Sequence, residues 1–344
     1  MPFSNPFSST AIFILFVLMF RSSADCECGY RISSHSSQIA SLLFTEAVQT
    51  EFRELSSLDD SEDWKIKQLR LDAVPDMDRL GRIVEDKNII LNATVLQLIV
   101  RSTLIEGNLV STDQIQSTRE DIRFGSFRAY MKTSPINGTC ATSLWYHNYT
   151  QEIDIELLSR QQEWDRHPTN LSIHNEESAG DDDDDTSNTT STIDRQLGFD
   201  LAKGFHEYGY DWSLEVVNFF TGDKWIGALD DFLPTAPGYV QMSHWSNGFK
   251  GWSGGPPSQD ALMTVAYFVG YSNSTDPDRV QDYQSRCGGG RVCDVAGVGQ
   301  TSSVASQGVS ILAEKKSEAV NWAVKHQTWL AVLSIMLFEV LCGW

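Results

Sequence analysis

Positive charge is scarce in this chain: 26 lysines and arginines stand against 46 aspartates and glutamates, a formal net charge of −20. Such an excess repels a phosphate backbone or an anionic lipid surface, so nucleic acid is not an expected partner and an uncharged polymer is left open. Long apolar runs are missing too. The unbroken stretch Ala11 to Phe20 holds ten residues, about half of what a bilayer asks for. With Ser22, Ser23 and Ala24 behind it, that stretch predicts a secretory signal peptide over 1–24, although no Lys or Arg precedes it and the amino terminus alone supplies positive charge. The far end, Trp329 to Trp344, is apolar apart from Ser334 and Glu339 and follows a polar stretch with the small residues Ser317 and Ala319. Sixteen residues interrupted by a glutamate fall short of a spanning helix, which favours a GPI-type lipid-anchor signal over a single membrane span. The expected location is the outer cell surface or cell wall.

Cysteine is sparse: Cys26, Cys28, Cys140, Cys287, Cys293 and, in the tail, Cys342. If the tail is removed, five remain, so one thiol stays unassigned. Cys287 and Cys293, with three glycines between them, are the expected local disulfide, and Cys26 or Cys28 is then expected to pair with Cys140. No Cys/His cluster follows Cys26-x-Cys28 at ligand spacing, so a zinc site is not expected. Six sequons, at Asn92, Asn137, Asn148, Asn170, Asn188 and Asn273, agree with an exported chain.

Helical periodicity is also rare, and strand patterns take its place. Phe127, Ala129 and Met131 alternate with Arg128, Tyr130 and Lys132. Val216 to Phe220 meets Thr221-Gly222-Asp223 before Trp225 and Ile226, a hairpin pattern. Ile89 to Leu91 and Val95 to Val100 flank a turn at Asn92. Leu262 to Val269 is apolar on nearly every residue, as a strand buried on both faces would be. These segments predict one all-β sandwich domain over 25–295, expected to be monomeric. Residues 176–194, with five consecutive aspartates, are expected to be a solvated loop, since adjacent like charges lack the alternating spacing of a calcium loop. Small and polar residues after Ala296 predict a flexible tether over 296–328 ahead of the tail at 329–344.

The informative segment is Glu152-Ile153-Asp154-Ile155-Glu156. A strand's side-chain period of two puts the three acids on one face and Ile153, Ile155 and Leu157 on the other. Three carboxylates on one narrow face raise one another's pKa, and Asp and Glu are poor strand formers, so a purely structural strand has little reason to carry them. Glycoside cleavage needs that pattern, because one carboxylate must be ionised to attack the sugar while another holds a proton for the leaving oxygen. The outer two lie roughly 13 Å apart at strand rise, so their side chains must converge to reach the ~5.5 Å of a retaining mechanism.

The segment resembles the active-site signature of glycoside hydrolase family 16, the laminarinase and lichenase group, in the form without an extra bulge residue. Ile122 to Lys132, Phe205-His206-Glu207-Tyr208-Gly209-Tyr210-Asp211-Trp212, His244-Trp245-Ser246-Asn247-Gly248 and Trp252-Ser253-Gly254-Gly255 are similar to other segments of that family, and Gly138-Thr139-Cys140 is similar to its fungal branch. The resemblance covers roughly 88–271 and implies a concanavalin A-like β-jelly-roll sandwich with a concave glycan-binding face. It further implies a β-glucan substrate, no cofactor and no metal, with Glu152 as nucleophile, Glu156 as general acid/base and Asp154 tuning the nucleophile. Aromatic faces stack on sugars, so Trp145, Tyr146, Trp245 and Trp252, with Asn247 beside them, are expected to wall the subsites. Trp212 is expected in the core, and His206 either bonds substrate or the acids or is a core histidine. Hydrolysis and transfer to a second sugar chain both fit. A non-catalytic lectin-like protein is the rival, disfavoured by the intact acid triplet, and the absence of a long Ser/Thr-rich stalk disfavours a structural wall protein.

Overall fold

Alternation along the chain becomes two stacked sheets. The computed structural model describes residues 26–33, 41–163, 165–174 and 191–295; the expected signal peptide, tether, anchor signal and aspartate run, with Asn188 and Cys342, lie outside them. The eight-stranded sheet runs in the order Lys224–Leu229, Val217–Thr221, His206–Trp212, Ile122–Lys132, Ala261–Ser274, Leu96–Val100 and Ile89–Leu91, with Glu46–Glu51 paired to the far half of Ala261–Ser274. The nine-stranded sheet runs Thr192–Gln196, Pro168–His174, Gln151–Leu158, Cys140–Asn148, Tyr239–Trp245, Leu109–Ser117, Gly81–Val84 and Arg70–Leu71, with Trp64–Ile66 paired to Leu109–Ser117. Pairing is antiparallel except between Gly81–Val84 and Leu109–Ser117 in the larger sheet.

Between the sheets lies one core that includes Trp64, Phe127, Ile153, Ile155, Trp212 and Phe219. Phe127, Ala129 and Met131 face into it as their alternation predicts. The Gly222-Asp223 turn closes its hairpin with Gly222 at φ +56°, a left-handed conformation that costs glycine little. Asn92 organises its own turn by accepting hydrogen bonds from the backbone of Thr94 and Val95.

Three expectations are corrected. Leu262 is 37% exposed and Val269 half-buried, so the Ala261–Ser274 strand is not enclosed on both faces along that run; one side faces the core, and on the other Val269 and Tyr271 pack with Ile32 and Phe44. The acidic loop ends sooner than 194, because Thr192–Gln196 pairs with Pro168–His174 and Ile193 packs on the core.

The cysteines also pair differently. A small sheet of Ser41–Phe44, Tyr30–Ser33 and Cys293–Val295 lays the N-terminal strand parallel to Cys293–Val295, with Cys28 N donating to Arg291 O and Cys293 N to Gly29 O. That juxtaposition produces the disulfides Cys26–Cys293 and Cys28–Cys287 in place of a local 287–293 bridge, and Cys140 is left as a buried free thiol. Each bridge closes a loop of more than 250 residues. Replacing Cys28 and Cys287 together by serine is therefore expected to destabilise the domain by about 2–4 kcal/mol. Denaturant unfolding would show a lowered midpoint, whereas an unchanged midpoint would mean that the pairing at the ends contributes nothing.

Candidate functional site

Register across the nine-stranded sheet decides what stands beside each acid. Tyr239, Tyr146, Glu152 and His174 form one rung; Gln241, Leu144, Asp154 and Ser172 the next; Ser243, Thr142, Glu156 and Asn170 the third. A fourth rung holds Trp245, Cys140 and Leu158. Ile153, Ile155 and Leu157 pin the reverse of the strand in the core, so the acids stand on a fixed platform. Apart from Ser172 and Asn170, the first three rungs floor an open cleft of about 280 Å³, lined further by Trp245 and Tyr149 and by Arg82 and Lys67, which lie over the Trp245 and Tyr239 rings.

Asp154 and Glu156 are buried and Glu152 is half-buried. His174 brings Nε2 to 2.9 Å from Oδ2 of Asp154, and Ser172 Oγ donates to the same oxygen at 3.5 Å. One oxygen each of Glu152 and Asp154 and a ring nitrogen of His174 lie within 4.8 Å of one another. The imidazole–carboxylate hydrogen bond accounts for that grouping, and we assign no metal to it. Glu156 takes two donors on Oε1, Trp252 Nε1 and Cys140 Sγ, each at 3.3 Å. Burial first, and the charge of Asp154 second, push the Glu156 carboxyl up to about 8, so it holds a proton at neutral pH. Of the three acids, Glu156 is thus the one whose surroundings keep its carboxyl protonated.

Of the residues expected at the subsites, Tyr146 and Trp245 line the cleft, with the Arg82 guanidinium over the Trp245 ring at 4.3 Å. Trp252 is buried behind Glu156, its backbone carbonyl and that of Gly251 accepting from Arg160. Asn247 is buried in the loop after Tyr239–Trp245, where its Oδ1 accepts from Ser253 Oγ and Phe249 N and so shapes the turn that presents Trp252. Trp145 does not reach the cleft. Neighbours in a strand point to opposite faces, so Trp145 lies in the core against Trp212 at 4.4 Å, with Nε1 donating to Ile122 O. His206 stands on the other sheet, its ring stacked on Phe199 at 3.7 Å. Asn170 cannot carry a glycan in this fold, being 3% exposed with its amide donating to Glu156 O and Gln161 Oε1.

His174 is not anticipated by the sequence, and its only signal there is its place at the end of an otherwise alternating strand. Substituting His174 by alanine removes the hydrogen bond that orients Asp154 between the two glutamates. Loss of a charge-assisted bond of ~1.5–3 kcal/mol is expected to lower kcat roughly 10- to 100-fold. Circular dichroism of the same variant should be unchanged, and a kcat equal to that of the unsubstituted chain would remove His174 from the site.

Against known proteins, the profile described as Glycosyl hydrolases family 16 matches residues 79–267. A β-glucanase of Paenibacillus macerans is 28% identical over 175 residues, 51% of this chain and 63% of that protein. A β-glucanase of Acetivibrio thermocellus is 24% identical over 154 residues, 43% of this chain and 42% of that protein. The chain thus spans about half the length of these curated relatives. Among solved structures, a Bacillus licheniformis β-glucanase superposes with a TM-score of 0.53 at 16% identity, covering 66% of this chain and 97% of that one. The laminarinase from Flavobacterium sp. UMI-01 gives 0.52 at 17% identity, covering 65% and 99%. At such identities the likeness is one of fold, and it bears out the jelly-roll sandwich.

Proposed function

Because the chain belongs to glycosyl hydrolase family 16, we propose that it is a retaining glycosidase that cleaves β-glucan in the cleft floored by Glu152, Asp154 and Glu156. The observation that carries this reading is the placement of the three acids on successive rungs, with Glu156 held protonated and Asp154 oriented by His174. In the first step an oxygen of Glu152 attacks the anomeric carbon while Glu156 gives its proton to the departing glycosidic oxygen, so the C–O bond breaks as the ester bond forms. In the second step Glu156, now ionised, takes a proton from water or from a sugar hydroxyl, whose oxygen attacks the same carbon and frees Glu152. Tyr146, Tyr239 and Trp245 offer ring surface to the sugars.

The ten-residue apolar run ahead of Ala24 and the apolar tail support export and lipid anchoring at the cell surface. Four of the sequons, at Asn92, Asn137, Asn148 and Asn273, are not closed off by burial and are the candidates for glycans among the described residues.

Incubating the domain and a Glu152→Gln variant with laminarin, mixed-linkage glucan and chitin oligosaccharides, with products resolved by mass, tests the reading. New reducing ends or exchanged chains made only by the unsubstituted protein support it and separate hydrolysis from transfer. Glucan binding without product from either protein would make the chain a lectin.

A further inference from the structure

The free thiol left over by the disulfides does not lie idle in the core. Cys140 opens its strand beside Leu158 and Trp245, one rung beyond Thr142 and Glu156. Its side chain therefore points to the concave side and meets Glu156 on the diagonal, fully buried, with Sγ 3.3 Å from Oε1. Burial, and then the charges of Glu156 and Asp154, push the thiol well above its ordinary pKa, so it remains S–H and acts as a donor. Trp252 Nε1 donates to the same oxygen, and Arg160 donates to the backbone carbonyls of Trp252 and Gly251 in that loop. The other oxygen, Oε2, has no hydrogen-bond partner among the described residues, and Glu156 lines the cleft.

We propose that Cys140 and Trp252 are positioning residues that act as a donor pair on Oε1 of Glu156, fixing the carboxyl so that Oε2 carries the transferable proton into the cleft. Two donors occupy Oε1, and a proton placed there would face N–H and S–H hydrogens; on Oε2 it meets none. When Oε2 gives up its proton, the negative charge that develops is shared with Oε1, where both donors already point, so the bonds strengthen as the proton leaves. Other charges facing Glu156 act in known directions: Asp154 on its own strand disfavours ionisation, and His174 on the neighbouring strand favours it. Arg82, from the strand Gly81–Val84, acts on Cys140 in the direction that lowers its pKa.

This inference rests on Glu156 being the proton donor. The test is the pH dependence of kcat/KM on mixed-linkage glucan for Cys140→Ala, Cys140→Ser and Trp252→Phe, with thermal unfolding followed in parallel. A hydrogen bond to the ionised form lowers a pKa, so its removal raises it, and the activity that needs a protonated Glu156 persists to higher pH. Cys140→Ala and Trp252→Phe are each expected to move the alkaline limb upward by roughly 0.5 unit or more, the scale of one weak charge-assisted bond. Cys140→Ser, which restores a donor, should return the limb toward its original position. A residue that only fills space would change stability, or activity at all pH values alike, and leave the limb in place. An unmoved limb in Cys140→Ala, or a serine variant that behaves as the alanine variant does, overturns the proposal. Should the alanine variant fail to fold, the serine and Trp252→Phe profiles still decide: serine must keep the limb and phenylalanine must shift it. Glu156→Gln run beside them keeps the two failures apart, because a limb that survives in that variant belongs to another group and the functional reading falls first.

Discussion

Glu152→Gln is expected to reduce glucan cleavage on the order of 10⁴-fold, about 5 kcal/mol of transition-state stabilisation, with the fold unchanged. The amide has nearly the shape of the carboxylate but cannot form the glycosyl ester, so the route through the covalent intermediate closes. Folding should tolerate the change, since Glu152 is half-buried on the cleft side of a strand whose other face is fixed by Ile153, Ile155 and Leu157. Substrate binding should persist, because Tyr146, Tyr239 and Trp245 are untouched. A variant that keeps more than a few per cent of the activity would move the nucleophile to a different residue, with Asp154, one rung away, as the first to examine.

The second large effect is at Glu156. Burial, and then the charge of Asp154, push its carboxyl up to about 8; the proposed mechanism uses the protonated form, so activity should fall as pH rises through that value. Glu156→Gln removes the proton donor and is expected to cost roughly 10²- to 10⁴-fold on glucan. The loss should be much smaller in the first step for aryl glycosides whose phenolate leaves unaided. In the proposed second step Glu156 also takes the proton, so the glycosyl-enzyme should accumulate with such substrates. Azide, which attacks without giving up a proton, should then restore turnover and yield a glycosyl azide. The alkaline limb should be absent from whatever activity remains; a full loss on activated and unactivated substrates alike, without azide rescue, would mean that Glu156 is not the acid/base.

The platform of the site was legible in the sequence because it rests on a local rule. Period two puts Glu152, Asp154 and Glu156 on one face whatever the strand pairs with. The same rule, applied to the neighbouring strand, separates Trp145 from Tyr146: adjacent residues cannot both line the cleft, and the structure sends the larger ring to the core. What could not be read locally depends on pairing between distant segments. His174 meets Asp154 only because Pro168–His174 returns beside Gln151–Leu158 in one particular register. Cys140 meets Glu156 through a diagonal across two strands. The disulfides follow from a parallel contact between the first described strand and the last, more than 250 residues apart, which no spacing of cysteines along the chain encodes. His206 sits in a segment similar to the family's pattern, yet its strand belongs to the other sheet, so likeness of a segment did not carry the side chain into the cleft.

The mechanism we propose centres on attack of Glu152 on the anomeric carbon, with water or a sugar then replacing it so that the product keeps the β configuration. Proton NMR of the anomeric region during the first moments of mixed-linkage glucan cleavage tests this most directly, before mutarotation blurs the signal. New reducing ends, or new linkages, should appear first as the β-anomer. Initial appearance of the α-anomer would show single displacement by water and contradict Glu152 as nucleophile and Glu156 as the acid/base of a double displacement.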